Sequence, residues 1–260
     1  MSTVDELPLD IWLSFWRLAR RYHRYTVNED DLHKLAHGPA SLIVGYHGQP
    51  VPWDMCMLGL AIYEKRGYLP AGIVHRAADS IPPVRWLAEG INFFRGDDDR
   101  LTEWVAADRH VMVTPGGGAE AGRSFRNRYR VDWGDRLGYV RLAVKLGLRI
   151  VPVGASGVDH AYIGLNDSSK LGRRLGLPRD LEPLPWIGLG PLGMFPFSPP
   201  FRVEIDQLIG KPILPAVEGV SDVADEAGLR RVHRMVATAV QTLLDQARLP
   251  SALREQRADP

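Results

Sequence analysis

Three stretches of the chain carry side chains suited to chemistry. The first is Tyr46-His47-Gly48-Gln49-Pro50-Val51-Pro52-Trp53-Asp54, which follows a short apolar run. A carboxylate on one imidazole nitrogen holds a single tautomer, and the other nitrogen is then free to take a proton from a hydroxyl. On one continuous helix His47 and Asp54 would stand about 10 Å apart, out of touch. Pro50 and Pro52 break such a helix. A looped Gly48–Val51 segment is therefore expected to return the Asp54 carboxylate to His47. The plainer alternative is that Asp54 only stabilises a helix N-terminus, with Pro52 in its first turn.

The second stretch is Pro115-Gly116-Gly117-Gly118-Ala119-Glu120-Ala121-Gly122-Arg123. Glycines let backbone approach a ligand closely and turn N–H groups toward an anion. Gly116, Gly118 and Ala121 also fit the dinucleotide pattern G-x-G-x-x-A, but that pattern needs an acidic ribose partner ending the next strand. A basic run follows here instead: Arg123, Arg126, Arg128 and Arg130. Those arginines read either as a solvated face or as a dock for the phosphate of a lipid or acyl carrier. The third stretch, 183–200, is dense in proline and glycine around Trp186, Phe195 and Phe197. Regular helix or central strand is excluded there. A long apolar loop of this kind lines a greasy channel, dips into a lipid interface or packs over the core.

Other chemistry has less support. No G-x-S-x-G elbow marks a serine hydrolase. Cys56 falls inside an apolar helix and reads as a small core residue. His75 and Asp79 read as a strand end and a turn, and no His and carboxylate cluster has metal-ligand spacing.

The elements that must position these residues alternate. Strands are expected at Ala40–Tyr46, Leu69–Val74, His110–Thr114 and Arg149–Gly154, with an edge strand at Phe201–Ile205. Helices are expected near 52–66, 81–88, 98–107 and 136–146. Strand–helix alternation implies crossover units and a mostly parallel sheet. The fold class is thus α/β: a single domain with a mostly parallel central sheet flanked by helices, an N-terminal amphipathic helix and a C-terminal helix. Its parts are an N-terminal helical segment (1–37), an α/β domain (38–215), and a C-terminal helix and tail packed on the same domain (216–260). The N-terminal helix, 9–25, sets Ile11, Trp12, Phe15, Trp16, Leu18 and Tyr22 at helical spacing, with Arg17, Arg20, Arg21 and Arg24 over the remaining surface. It is either a surface helix covering the core or an interfacial membrane binder. The C-terminal helix, near 223–247, buries a stripe through Leu229, Val232, Val236, Val240 and Leu243, and the last residues are expected to fray.

Composition narrows the function classes. The 260 residues are 45% hydrophobic and 24% charged, ordinary for a globular domain. Thirty-two basic and 31 acidic side chains leave a formal charge of +1, so no overall nucleic-acid footprint exists. One cysteine makes no internal disulfide. With no secretory signal and no long apolar run, the expected compartment is cytoplasmic, with peripheral attachment to the inner face of a membrane as the alternative.

In order along the chain, four blocks resemble the glycerolipid (lysophospholipid) acyltransferase superfamily, closest to its monoacylglycerol/diacylglycerol-acyltransferase-like branch. They are His47 with Asp54; Gly90-Ile91-Asn92-Phe93-Phe94-Arg95; Pro115-Gly116-Gly117 with Glu120; and the helix–strand unit from Arg136 to Val153. The resemblance covers about residues 38–215. Two features depart from it. Six residues separate His47 from Asp54 where the family has four, and Pro-Gly-Gly-Gly replaces Pro-Glu-Gly.

The resemblance implies transfer of a fatty acyl group from a thioester, on coenzyme A or acyl carrier protein, to a hydroxyl of a lipid-like acceptor. His47 would be the general base and Asp54 its orienting carboxylate. Arg95, Gly116, Gly117, Gly118, Glu120 and Arg123 would bind the acceptor or the oxyanion. Trp186, Phe195 and Phe197 would contact the acyl chain or a membrane. No metal and no cofactor beyond the acyl-CoA or acyl-carrier co-substrate is called for. Peripheral membrane contact would run through 9–25 and 183–200. Two other readings are a non-catalytic lipid- or acyl-chain-binding protein on the same scaffold and a nucleotide-dependent α/β enzyme.

Overall fold

A computed structural model describes residues 7–73, 86, 90–178 and 181–250. The expected helix at 81–88, His75 and Asp79, and the fraying tail beyond 250 lie outside them or nearly so.

The chain forms a seven-stranded sheet and a separate three-stranded one. Element by element it runs α1 (Leu7–His23), β1 (Tyr25–Val27), α2 (Glu29–Ala36), β2 (Ser41–Val44), α3 (Trp53–Arg66), β3 (Ala71–Ile73), β4 (Phe93–Phe94) and α4 (Arg100–Ala106). It continues with β5 (Val111–Val113), α5 (Gly117–Ala121), α6 (Gly138–Lys145), β6 (Arg149–Ala155), β7 (Ile163–Gly164), α7 (Ser168–Arg174), β8 (Gly188–Gly190), β9 (Gly193–Met194), β10 (Ile205–Ile209) and α8 (Glu226–Ala247). The large sheet has the order β1-β10-β6-β2-β5-β3-β4. From β6 to β4 all pairs are parallel, and β10 is antiparallel to β6. This is the expected α/β domain with a mostly parallel central sheet.

Strand parity divides the core. Leu42 and Val44 point to one face, where α8 lays down Leu229, Val232, Val236 and Val240. Ile43, Val151 and Val153 point to the other, against Leu32 and Leu35 of α2 and Leu58 and Ile62 of α3. Every residue of β2 is buried, as befits a central strand covered on both faces. Caps fix the helix ends: Asn28 and Asp225 accept from the N–H groups of Asp31 and Gly228 at 3.0 and 2.9 Å.

Three expectations need correcting. The strand placed at Phe201–Ile205 is β10 at Ile205–Ile209, and it lies inside the sheet because β1 covers its outer side. The stretch 25–36, read only as part of an N-terminal segment, supplies that strand and α2. The apolar residues of α1 do not share one face. Trp12, Trp16 and Ala19 are buried, whereas Ile11, Phe15, Leu18 and Tyr22 are exposed.

Candidate active site

Parallel strands bring their following loops to one edge of the sheet, where α/β proteins bind ligands. Here that edge gathers His47 after β2, Arg95 after β4, the glycine loop after β5 and Asp159 after β6.

Two buried carboxylates hold the His47 loop. Glu120, 1% exposed, accepts the His47 N–H at 3.0 Å and the Asp132 N–H at 3.2 Å. Gly116 makes this reach possible: a Cβ there would sit 1.9 Å from the Glu120 carboxyl carbon. Asp159 accepts from the Tyr46 hydroxyl and, at 2.6 Å, from the Tyr129 N–H, with the Gln49 N–H also nearby. Arg123 sits between the two acids. Its guanidinium pairs with Glu120 at 3.0 Å and lies over the Tyr46 ring, 4.5 Å from the centroid. Burial pushes both carboxyls above their ordinary range, and the Arg123 charge offsets this in part.

The His47 ring is oriented by main chain. Its Nδ1 is 2.8 Å from the Gly48 carbonyl. A carbonyl only accepts, so Nδ1 carries the hydrogen and Nε2 keeps a lone pair. Burial lowers the imidazole to about 4, so the ring is neutral at pH 7 and its basic form is fully populated.

No hydrogen bond or ion pair joins Asp54 to His47, contrary to the expected pairing; the Gly48 carbonyl takes that nitrogen. Asp54 opens α3, fully buried, and neither of its oxygens has a hydrogen-bond partner. Burial raises its carboxyl to about 7; the nearby N–H groups of Met55 and Asp54 itself oppose the rise without reaching hydrogen-bond geometry, and Asp159 and Glu120 add to it. Beside α3, His23 is equally enclosed, with both ring nitrogens unpartnered among the described residues and its ring 4.8 Å from that of Trp53.

The other expected site residues separate into groups. Arg95 is exposed at the same sheet edge and paired with Asp97 at 3.1 Å. It stands three strands from β2, about 14 Å away. Arg123 is not the free headgroup ligand expected of it. It is 6% exposed, and besides Glu120 it donates to the Glu120, Asn127 and Arg130 carbonyls. Gly117 has φ +49 and gives its N–H to the Thr114 carbonyl at 3.0 Å. A Cβ on Gly118 would meet Pro183 at 2.8 Å. Each glycine thus has a packing or conformational reason to be there.

The stretch 183–200, expected to hold no central strand, contains β8 and β9, and β8 is the middle strand of the small antiparallel sheet β7-β8-β9. Trp186 donates its Nε1–H to the Arg123 carbonyl at 3.0 Å and packs edge-on to Phe195 at 5.8 Å. Phe197 stands out in solvent. Tyr46 and Asp159 were missed from sequence. Only the place of Asp159, just past a strand end, could have signalled it.

No family model matches the chain. An uncharacterized protein of Mycobacterium tuberculosis is 28% identical over 214 residues, 79% of this chain and 57% of the relative. The chain thus spans little more than half the length of that relative. A mouse (Mus musculus) protein named DGAT1/2-independent enzyme synthesizing storage lipids is 25% identical over 93% of this chain and 66% of its own. Among solved structures, the 1-acyl-sn-glycerophosphate (LPA) acyltransferase PlsC from Thermotoga maritima is similar at a TM-score of 0.53. It is 17% identical, over 94% of this chain and 81% of that one.

Proposed function

We propose that this chain, whose fold is that of the glycerolipid-acyltransferase-like superfamily, is a lipid acyltransferase using an acyl thioester donor and a lipid-like hydroxyl acceptor. One observation carries the reading: His47 is clamped at the carboxyl edge of the sheet as a neutral imidazole with its lone pair on Nε2, which has no hydrogen-bond partner among the described residues. Nε2 takes the acceptor hydroxyl proton as the oxygen attacks the thioester carbonyl carbon. A tetrahedral oxyanion forms, and preorganised donors lower its energy. Collapse expels the thiolate, which recovers the proton from the imidazolium, leaving an ester and a free thiol.

In this proposal the Gly48 carbonyl sets the tautomer. Asp54, the carboxylate that the resemblance pairs with this base, opens α3 at the same end of the sheet. Arg95 is the candidate for an acidic head group, and Gly116–Gly118 backbone the candidate for the oxyanion. Glu120 and Arg123 hold the base in place. Coenzyme A or acyl carrier protein delivers the acyl group as co-substrate, with no further cofactor. Among the described residues no helix is long and apolar enough to cross a membrane, and the proposed setting is the cytoplasmic side, peripheral to a membrane.

The test is thiol release from a panel of acyl-CoA and acyl-carrier donors, with and without monoacylglycerol, diacylglycerol or lysophosphatidate, with mass spectrometry of the ester. Acceptor-dependent thiol with a matching ester is the expected result. The missing His47–Asp54 bond favours a second reading, a lipid-binding protein without turnover. Retained lipid and no thiol release from any donor would select it.

A further inference from the structure

The proposed reaction leaves unused a group of basic side chains beside His47. Arg126, Arg128 and Arg130 follow the glycine loop, and the fold adds His160 from the turn after β6 and Arg248 from the end of α8. Arg128 lies over the Phe125 ring, 4.2 Å from its centroid, and Arg248 over the Tyr129 ring at 4.8 Å. The His160 imidazole joins the two. Its Nδ1 is 2.9 Å from the Tyr129 hydroxyl, and its ring packs edge-on to Phe125 at 5.6 Å. Partial burial and the charges of Arg128 and Arg248 hold it below its ordinary range, so it is a neutral ring close to two guanidiniums.

Charge is not balanced there. Arg126, Arg128 and Arg130 have no ion pair among the described residues, and Arg248 has Asp245 at 3.6 Å. The other acids nearby are engaged. Asp167 accepts from the Ser124 N–H and the Asn127 amide, Glu204 pairs with Arg24, and Asp159 is turned inward to Tyr46 and the Tyr129 N–H. Gathering like charges costs a fold stability. The loop that carries them is nonetheless fixed: Gln241 of α8 donates to the Tyr129 carbonyl at 3.0 Å and accepts the Val131 N–H at 2.9 Å. The guanidiniums are therefore preorganised, which lowers the ordering cost of binding. Several of them in one short loop suit a ligand with more than one phosphate, since each planar fork takes phosphate oxygens in pairs. Phe125, His160 and the guanidinium planes add flat surfaces on which a nucleobase stacks. A lysophospholipid head group such as lysophosphatidate offers one phosphate and no ring.

We propose that Phe125, Arg128, His160 and Arg248, with Arg126 and Arg130 beside them, bind the phosphates and base of a nucleotide. None of these residues falls in the four blocks that carry the resemblance. The site adjoins His47. Asp159 and His160 are consecutive: Asp159 is buried against Tyr46, the residue before His47, and His160 is exposed beside the arginines. Two sources present this chemistry. One is the nucleotide end of coenzyme A, anchoring an acyl donor with its thioester toward His47. The other is a free nucleoside diphosphate acting as a regulator. The site itself stands on this geometry; only the first use rests on the proposed function.

The test is isothermal titration calorimetry of the full chain with coenzyme A, ADP and phosphopantetheine, with no acceptor present. Coenzyme A or ADP binds, and phosphopantetheine, with one phosphate and no base, binds about tenfold more weakly or less. Arg128→Gln with Arg248→Gln weakens nucleotide binding by about tenfold or more. Arg126→Glu with Arg130→Glu, at two exposed positions, weakens it too and decides the matter where the first pair disturbs the fold. Tighter binding of coenzyme A than of ADP assigns the site to the donor, and equal or weaker binding assigns it to a free nucleotide. Binding of neither nucleotide at millimolar concentration overturns the proposal. So do variants that bind like wild type, and phosphopantetheine binding as tightly as coenzyme A. Because no turnover is read, the two failures are distinct: thiol release from acyl-carrier donors without nucleotide binding removes this site and leaves the proposed function.

Discussion

The His47 loop and the β8–β9 hairpin lie next to each other and are built on opposite principles. Around His47 the buried groups are polar: two carboxylates, a guanidinium and a tyrosine hydroxyl bind one another and the backbone. At the hairpin the exposed groups are apolar, and little packs on Phe197 or Leu192. Polar burial costs free energy unless every group is matched, so it persists where geometry has to be held. Apolar exposure adds nothing to folding, so the fold places little constraint on those side chains. The comparison teaches that a region held by matched polar groups and a region left free of packing can lie side by side. Substitutions in the first should cost stability and rate together, and those in the second should cost neither in water.

The most damaging way to break this contrast is Glu120→Ala. It leaves the Arg123 charge buried and the His47 and Asp132 N–H groups unmatched. Urea unfolding should show a loss of about 3–5 kcal/mol, with thiol release falling too. A loss under about 1 kcal/mol would mean that the network does not hold the loop.

Asp54→Asn sharpens the contrast, because Asp54 is the buried carboxyl with no hydrogen-bond partner. Its pKa rises on folding from 3.8 to about 7. The native state therefore holds a proton that the unfolded chain has released, and stability from this group falls as pH climbs from about 4 to 7. Removing the charge should stabilise the protein at pH 8 by about 4 kcal/mol and change nothing below pH 4. His23 and His47 act in the opposite sense: both are lowered by burial from 6.5 to about 4, so their contribution is lost as pH falls from 6.5 to 4. A stability profile flat from pH 4 to 8 in wild type and in each single variant would contradict these assignments.

Gly116→Ala is a smaller intrusion. Its Cβ would collide with the Glu120 carboxyl, and the carboxylate must swing off the His47 N–H. The expected cost is about 1–3 kcal/mol, with a lower rate of thiol release at unchanged donor KM. The smallest effect belongs to the hairpin. Phe197→Ser should shift stability by less than about 0.5 kcal/mol, read from the urea midpoint, because the side chain is almost wholly in solvent.

The same contrast explains what was legible in the sequence. Periodicity reports burial, so the apolar run of β2 and the stripe of α8 were readable, and with them the place of His47 and the glycine loop at a strand end. The three-residue β1 carries no such pattern, since half-buried Tyr25 and Val27 flank an exposed Thr26. The polar network was hidden because its partners are far apart along the chain. Tyr46 meets Asp159 across 113 residues, and no local pattern marks either. Arg123 misled for a related reason: a lone arginine in a basic run reads as exposed until the carbonyls of Asn127 and Arg130 are folded around it. In α1 the aromatic residues were noticed but the buried Leu13 and Ala19 were not, and spacing alone could not divide the apolar residues between core and solvent.

The central claim is that His47 is the base of an acyl transfer. It is tested most directly by acceptor-dependent thiol release from the wild-type chain beside His47→Ala, both checked for native folding. The account predicts turnover in the first and a loss of about 10³-fold or more in the second. Equal acceptor-dependent turnover in the two proteins would contradict it.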